Sequence, residues 1–307
     1  MDGEPRHFLK MTDLNREDIL RLLSLSLQLK DQIKNGKLLE PLKGKHVGLI
    51  FHKPSLRTRL SFEVGVRLLG GNSLFITQQE IELGKREPIS DVARVMGRYL
   101  DLIVIRTFHQ EDVEEFSRWS PVSVINALTD WEHPCQVFCD LLTIIERLGK
   151  IEGIKIAFLG DGNNVARSWM GAAHLLDLDL WIATYPSTHP GREYYQSLLK
   201  NAVGKITITE DPYAAVRNAQ VIYTDVWASM GEKEKIEERR NLLKPYQVNE
   251  DLLKVSPQAL VMHCLPAERG NEITDGVLEG PQSVVWDQAE NRLYGQLSLI
   301  LWALRLV

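Results

Sequence analysis

Short unbroken apolar runs alternate along this chain with longer stretches in which apolar residues recur every three or four positions. The runs read as buried strands and the recurring stretches as helices packed by one face. Residues 47–51 form the first run, and residues 102–105, 122–127, 154–159, 180–184, 221–224 and 260–263 form others of the same kind. Residues 73–76 are a shorter candidate, and residues 284–286 read as the last strand. Residues 8–44 read as helical, with Asp13 or Asn15 as the cap and Ile19, Leu22, Leu23, Leu25 and Leu27 as the apolar face. Leu60, Val64 and Leu68 mark a helix that Gly70 and Gly71 close. Further helices are expected over residues 91–99, from Pro134 to about Leu148, and at the end of the chain. There Leu293, Leu297, Ile300, Leu301 and Leu304 share a face, and Asp287 and Glu290 suggest a capping box. Residues 77–89 read as a polar loop, and the charged residues 232–244 as a solvated helix face. Strand–helix alternation of this kind predicts an α/β fold: two domains with mainly parallel sheets flanked by helices.

The chain is 307 residues long, which favours two domains over one, and 44% apolar, enough for a sizeable core. A net charge of −5 argues against a nucleic-acid partner. The 3 cysteines show no paired spacing, so a reducing compartment is expected. The opening residues are polar, without an apolar signal region, and no apolar run is long enough to span a membrane. The expected location is the cytoplasm.

Candidate chemistry gathers where strands end. Pro54 stops the first run, and Ser55 is placed to cap the helix that follows, which sets Leu56, Arg57, Thr58 and Arg59 on its first turn. First-turn amides point outward without partners and favour an anion, and Arg57 can grip two phosphate oxygens at once. The same residues also read as a helix start with surface arginines. Arg106 stands at the carboxyl end of a buried strand, where open α/β sheets place ligand groups. His133-Pro134-Cys135-Gln136 opens a helix with proline in its first turn, which aims His133 and Gln136 at one helix entrance; His133 also reads as a simple cap. Asp225 ends another strand and suits a cationic amine. Gly160-Asp161-Gly162-Asn163-Asn164-Val165 resembles a dinucleotide fingerprint. Its third glycine is replaced by Val165 and the next strand ends at Tyr185 without an acidic residue, so nicotinamide binding is not expected.

Taken together, Pro54-Ser55-Leu56-Arg57-Thr58-Arg59-Leu60-Ser61-Phe62-Glu63 resembles the carbamoyl-phosphate motif of the carbamoyltransferases, Ser-Thr-Arg-Thr-Arg-x-Ser-Phe-Glu. His133-Pro134-Cys135-Gln136 is similar to that family's His-Pro-x-Gln. Asp225-Val226-Trp227-Ala228-Ser229-Met230-Gly231 and His263-Cys264-Leu265-Pro266 resemble the pair that marks its ornithine-specific branch. The resemblance covers essentially the whole chain. Leu56 departs from it, standing where the family usually has threonine, and Glu82 falls where many ornithine-specific members carry glutamine.

The resemblance implies a carbamoyl-phosphate domain over residues 1–148 and an ornithine domain over 149–286, with residues 287–307 forming a helix that returns to the first domain. It implies transfer of the carbamoyl group to the δ-amine of L-ornithine, giving L-citrulline and phosphate. Ser55, Leu56, Arg57, Thr58 and Arg106 would hold carbamoyl phosphate, and His133, Gln136 and Arg292 would polarise its carbamoyl group. Asn164, Asp225, Ser229, Met230, Cys264 and Leu265 would hold ornithine, with Cys264 and the Leu265 carbonyl beside the attacking amine. Cys135 is not expected to be a nucleophile, since the family passes the group directly from donor to amine. No metal or cofactor is expected, and a homotrimer or an assembly of trimers is implied. Two other readings stay open on sequence: the same fold acting on aspartate, putrescine or acetylornithine, and a non-catalytic homologue.

Overall fold

The computed structural model describes residues 4–227 and 236–307. Ser229, Met230 and the start of the charged 232–244 segment lie outside the described residues. Chain contacts divide the molecule into two compact units, Met1–Leu142 with Glu290–Val307, and Thr143–Ala289.

The first unit contains α1 (Arg16–Lys34), β1 (His46–Phe51), α2 (Leu56–Leu68), β2 (Asn72–Thr77), α3 (Gln78–Ile81), α4 (Ile89–Tyr99), β3 (Leu102–Arg106), α5 (Gln110–Trp119), β4 (Ser123–Leu128) and the start of α6 (Pro134–Leu148). Its four strands are parallel, in the order β2-β1-β3-β4, with Phe51 opposite Arg106. Ile50, Ile103, Ile105 and Val124 on the sheet pack against Val92, Val113 and Phe116 of α4 and α5. These strands are apolar without alternation because helices bury them.

The second unit contains β5 (Ile154–Leu159), α7 (Asn164–Leu175), β6 (Leu178–Ala183), α8 (Arg192–Leu199), β7 (Lys205–Thr209), α9 (Pro212–Val216), β8 (Val221–Thr224), α10 (Ile236–Leu243), α11 (Glu250–Leu253), β9 (Leu260–His263), α12 (Asp275–Leu278) and the start of α13 (Val285–Ala303). Its parallel sheet runs β7-β6-β5-β8-β9. Ala157, Leu159, Ile222 and Val261 centre its core, with Trp227 and Val285 packed against them.

The C-terminal part of α13 belongs to the first unit. Ser298 Oγ lies 2.7 Å from Ser26 Oγ of α1, Asn291 Oδ1 accepts from Lys30 Nζ at 2.8 Å, and Glu290 pairs with Lys34 at 2.9 Å. Gly65 of α2 leaves room for this helix: a Cβ there would stand 2.9 Å from Leu297 Cδ2.

The structure shifts several expected elements. The helix expected over residues 8–44 is confined to α1 and a 3₁₀ turn at Met11–Asp13. Asn15 is the α1 cap, accepting from the Asp18 amide, and Gly36 in the left-handed region ends the run. Residues 77–89 are not wholly a loop, because Thr77 and Glu80 form a capping box that starts α3. Residues 284–286 are not a strand. Ser283 makes only an isolated bridge to Val261, and α13 begins at Val285, so Asp287 lies inside the first turn and pairs with Arg147 rather than capping it. No described helix is long and apolar enough to cross a membrane.

Candidate active site

In the first unit β2 lies on one side of β1 and β3 on the other. The chain order therefore reverses between β1 and β3, and connections leaving their carboxyl ends diverge, which opens a crevice for a ligand. The motif residues fall there. Ser55 Oγ accepts from the Thr58 amide at 3.3 Å and so caps α2, whose first turn presents its remaining amides outward. Thr58 is buried, and two arginines converge on its hydroxyl: Arg292 Nη2 at 2.8 Å and Arg106 Nη1 at 3.5 Å. Arg57 is half-buried one position earlier on the same turn. The Leu56 side chain is 69% exposed, so this residue offers its backbone amide where a threonine would add a hydroxyl.

His133 and Gln136 stand at the entrance to α6 in the same unit, both buried. Burial, with help from the Arg292 and Arg106 charges, drives the His133 proton off well below 6.5. The ring is neutral at physiological pH, a hydrogen-bonding group rather than a fourth cation. Gln136 Nε2 donates to Asp140 Oδ1 at 2.9 Å, which turns Oε1 the other way; that oxygen has no partner among the described residues. A buried acceptor so oriented fits an amide N–H. Cys135, between them, donates to the Asn126 carbonyl, and burial pushes its thiol up to about 12. A thiol held protonated in this way is a poor nucleophile.

In the second unit the order reverses between β5 and β8. Leu159, Thr224 and His263 are in register across β5, β8 and β9, so the residues just beyond them, Gly160, Asp225 and Cys264, emerge together. Gly160 has φ +114°, and a Cβ there would lie 2.7 Å from Trp227 Nε1, which excludes other residues. Asn163 caps α7 by accepting from the Val165 and Ala166 amides, and its Nδ2 donates to Asp225 Oδ2 at 2.6 Å. The other Asp225 oxygen accepts from the Val226 amide and from Cys264 Sγ, each at 2.8 Å. Asn164, half-buried, is the first residue of α7. This unit therefore brings Asn164, Asp225, Cys264 and Leu265 to one end of its sheet.

Leu265 has φ +55°, a left-handed conformation that costs a leucine roughly 1–3 kcal/mol. His263 holds it there. Nδ1 accepts from the Leu265 amide at 2.8 Å, and Nε2 donates to Glu272 Oε1 at 3.0 Å, with both side chains fully buried. Glu272 also accepts from the Glu268 amide at 2.6 Å, and Gln288 accepts from the His263 amide at 2.9 Å. Asn163, His263, Glu272, Asp140 and Gln288 were not among the sequence candidates. Asn163 had a legible signal, a capping residue directly before a periodic run; Glu272 and Gln288 act through tertiary contact and had none. Among the described residues Asp225, His263 and Cys264 are the group whose donor atoms lie close enough for a metal, within 4.8 Å. Both His263 nitrogens are hydrogen-bonded elsewhere, to the Leu265 amide and Glu272, and the Cys264 thiol donates to Asp225.

One α/β unit gathers arginines around the first turn of α2 and the other sets the Asp225 carboxylate at the end of its sheet, the two halves that transfer of a group from an anionic donor to an amine would need. The comparisons agree. Residues 6–146 match the family model described as "Aspartate/ornithine carbamoyltransferase, carbamoyl-P binding domain", and residues 152–303 match "Aspartate/ornithine carbamoyltransferase, Asp/Orn binding domain". A relative from Geobacter sulfurreducens named ornithine carbamoyltransferase is 49% identical over 96% of this chain and 98% of its own. The solved ornithine carbamoyltransferase of Pyrococcus furiosus superposes with a TM-score of 0.93 at 44% identity, covering 97% of this chain and 96% of that one. The enzyme from Giardia lamblia does so with 0.88 at 30% identity, covering 98% and 99%. The chain belongs to the aspartate/ornithine carbamoyltransferase family.

Proposed function

We propose that the chain is an ornithine carbamoyltransferase, forming L-citrulline and phosphate from carbamoyl phosphate and L-ornithine. The observation that carries the reading is the Asp225–Cys264 pair, set by Asn163 and the His263–Glu272 chain at the switch point of the second sheet. Carbamoyl phosphate binds at the first turn of α2, its phosphate held by Ser55, Arg57, Thr58 and Arg106 and the Leu56 amide. Arg292 and neutral His133 polarise the carbamoyl oxygen, and Gln136 Oε1 accepts from the carbamoyl amide. Asp225 and Asn164 hold the amino-acid end of ornithine, together with Ser229 and Met230, which lie outside the described residues. The neutral δ-amine, with Cys264 and the Leu265 carbonyl beside it, attacks the carbamoyl carbon. The tetrahedral intermediate collapses, the carbon–oxygen bond to phosphate breaks with its electron pair, and the amine proton leaves on phosphate. Positioning and fixed donors supply the acceleration. Residues 1–148 serve as the donor domain, 149–286 as the acceptor domain and 287–307 as the returning helix.

The assembly is a homotrimer in the cytoplasm. Exposed Leu60 and Val64 on α2 and Leu74 on the edge strand β2 support a subunit contact. The Pyrococcus furiosus relative named anabolic, 45% identical, supports the citrulline-forming direction. The test is citrulline formation from the two substrates by wild type and by Arg57→Ala. The variant should lose carbamoyl-phosphate binding and nearly all turnover; full activity without Arg57 would refute the donor-site assignment.

A further inference from the structure

Two loops that carry acceptor-site residues are each tied to an arginine of α10. Arg239 Nη2 lies 2.8 and 2.7 Å from the two carboxylate oxygens of Asp161, in the loop between β5 and α7. Arg240 Nη2 lies 3.0 Å from Glu268 Oε2, in the loop after β9. The pairs differ in burial. The Asp161 side chain is 8% exposed and that of Arg239 28%, whereas Arg240 and Glu268 are each 38% exposed. Solvent screens the second pair and leaves it of little consequence. The first is held out of water, and removing one partner strands a charge.

Asp161 stands two residues before Asn163, the residue that donates to Asp225. Two carboxylates, Asp161 and Asp225, therefore share the end of one sheet and repel, with Arg239 from α10 and Arg167 from α7 as the cations facing Asp161. Arg239 is the one that reaches both Asp161 oxygens. We propose that Arg239 is a positioning residue for the acceptor site: by neutralising Asp161 it fixes the 160–164 loop and leaves Asp225 as the carboxylate that meets the acceptor amine. The inference rests on the ornithine reading above. A tether and a neutraliser differ in one respect. Losing a tether is made worse by removing its second partner, while an uncompensated charge is relieved by removing that charge.

Steady-state kinetics on wild type, Arg239→Gln, Asp161→Asn, the double variant and Arg240→Gln test this. Arg239→Gln should raise the KM for ornithine roughly ten- to hundred-fold, the scale of a lost charge-assisted hydrogen bond, and leave that for carbamoyl phosphate unchanged. Adding Asp161→Asn should restore most of the ornithine KM, and Arg240→Gln should stay within about threefold of wild type. An active wild type whose ornithine KM is unmoved by Arg239→Gln, or a double variant no better than Arg239→Gln, overturns the inference alone. Should Arg239→Gln fail to fold, the double variant decides: it must fold with a near wild-type ornithine KM, and a raised value or no folded protein rejects the proposal. A wild-type chain that turns over no ornithine overturns the functional reading, and this inference with it.

Discussion

The Thr58 hydroxyl accepts from arginines 48 and 234 residues away in sequence, Arg106 at the end of β3 and Arg292 on α13. That single oxygen spaces two guanidiniums at the turn where the phosphate is proposed to bind. Replacing it with a methyl group of the same shape leaves the cations without this acceptor and lets them repel. Thr58→Val should cost about 1–3 kcal/mol of stability and raise the carbamoyl-phosphate KM, with the ornithine KM little changed. Denaturant melts and initial rates check both; a variant indistinguishable from wild type would show that the hydroxyl is incidental.

His133 makes a pH prediction of definite sign. Burial lowers its pKa well below 6.5 in the folded chain, while in the unfolded chain it titrates near 6.5. Below 6.5 the unfolded state therefore binds more protons, and the contribution of this residue to stability, fully present above 6.5, is lost as the pH falls. Urea unfolding at a series of pH values should show wild type losing stability on acidification more steeply than His133→Gln. Parallel curves for the two proteins would contradict the buried neutral histidine. The cysteines give a simpler readout. Cys135 and Cys139 are buried with thiols pushed upward, whereas Cys264 is half-buried beside Asp225. Iodoacetamide should label Cys264 in the native protein, more slowly with ornithine present, and all 3 cysteines once it is unfolded.

At the scale of elements, α13 depends on a glycine. Gly65 of α2 faces Leu297, and a Cβ there would stand 2.9 Å from that side chain. Gly65→Val should separate the helices and destabilise the protein by about 1–3 kcal/mol, read as a lowered thermal midpoint. Because α13 carries Arg292, carbamoyl-phosphate affinity should fall with it; a melt unchanged from wild type would deny the packing.

The same scale shows what the sequence could reveal. Buried parallel strands are apolar end to end, so the runs that became β1, β3, β5, β8 and β9 were legible. The strand β7, Lys-Ile-Thr-Ile-Thr, lies at a sheet edge, mixes polar residues and was missed. The run at residues 284–286 misled because three apolar residues open a helix as readily as they form a strand. In the site, Ser55 and Asp225 were legible because capping and strand ends are local features. The network behind them was not, because Glu272 reaches His263 and Asp140 orients Gln136 only once the chain has folded.

Across the whole molecule the net charge is −5, so the cations around the first turn of α2 act locally rather than through a general positive field. Arg57, Arg106 and Arg292 all lie in one unit, and the Asp225–Cys264 pair lies in the other. Each group sits where the strand order of its own sheet reverses. The proposed trimer has its own check. Sedimentation equilibrium should give three times the 35.0 kDa of one chain, and Leu60→Glu with Val64→Glu should reduce it to one. A wild-type mass of a single chain would remove the subunit contact.

The most direct measurement of the central claim is product formation from carbamoyl phosphate with L-ornithine, N-acetylornithine, putrescine and L-aspartate offered in parallel. Citrulline should form from ornithine, with negligible product from the other three. Turnover with a different amine and none with ornithine would contradict the acceptor assignment while leaving the donor turn standing; no turnover with any of them would contradict the account as a whole.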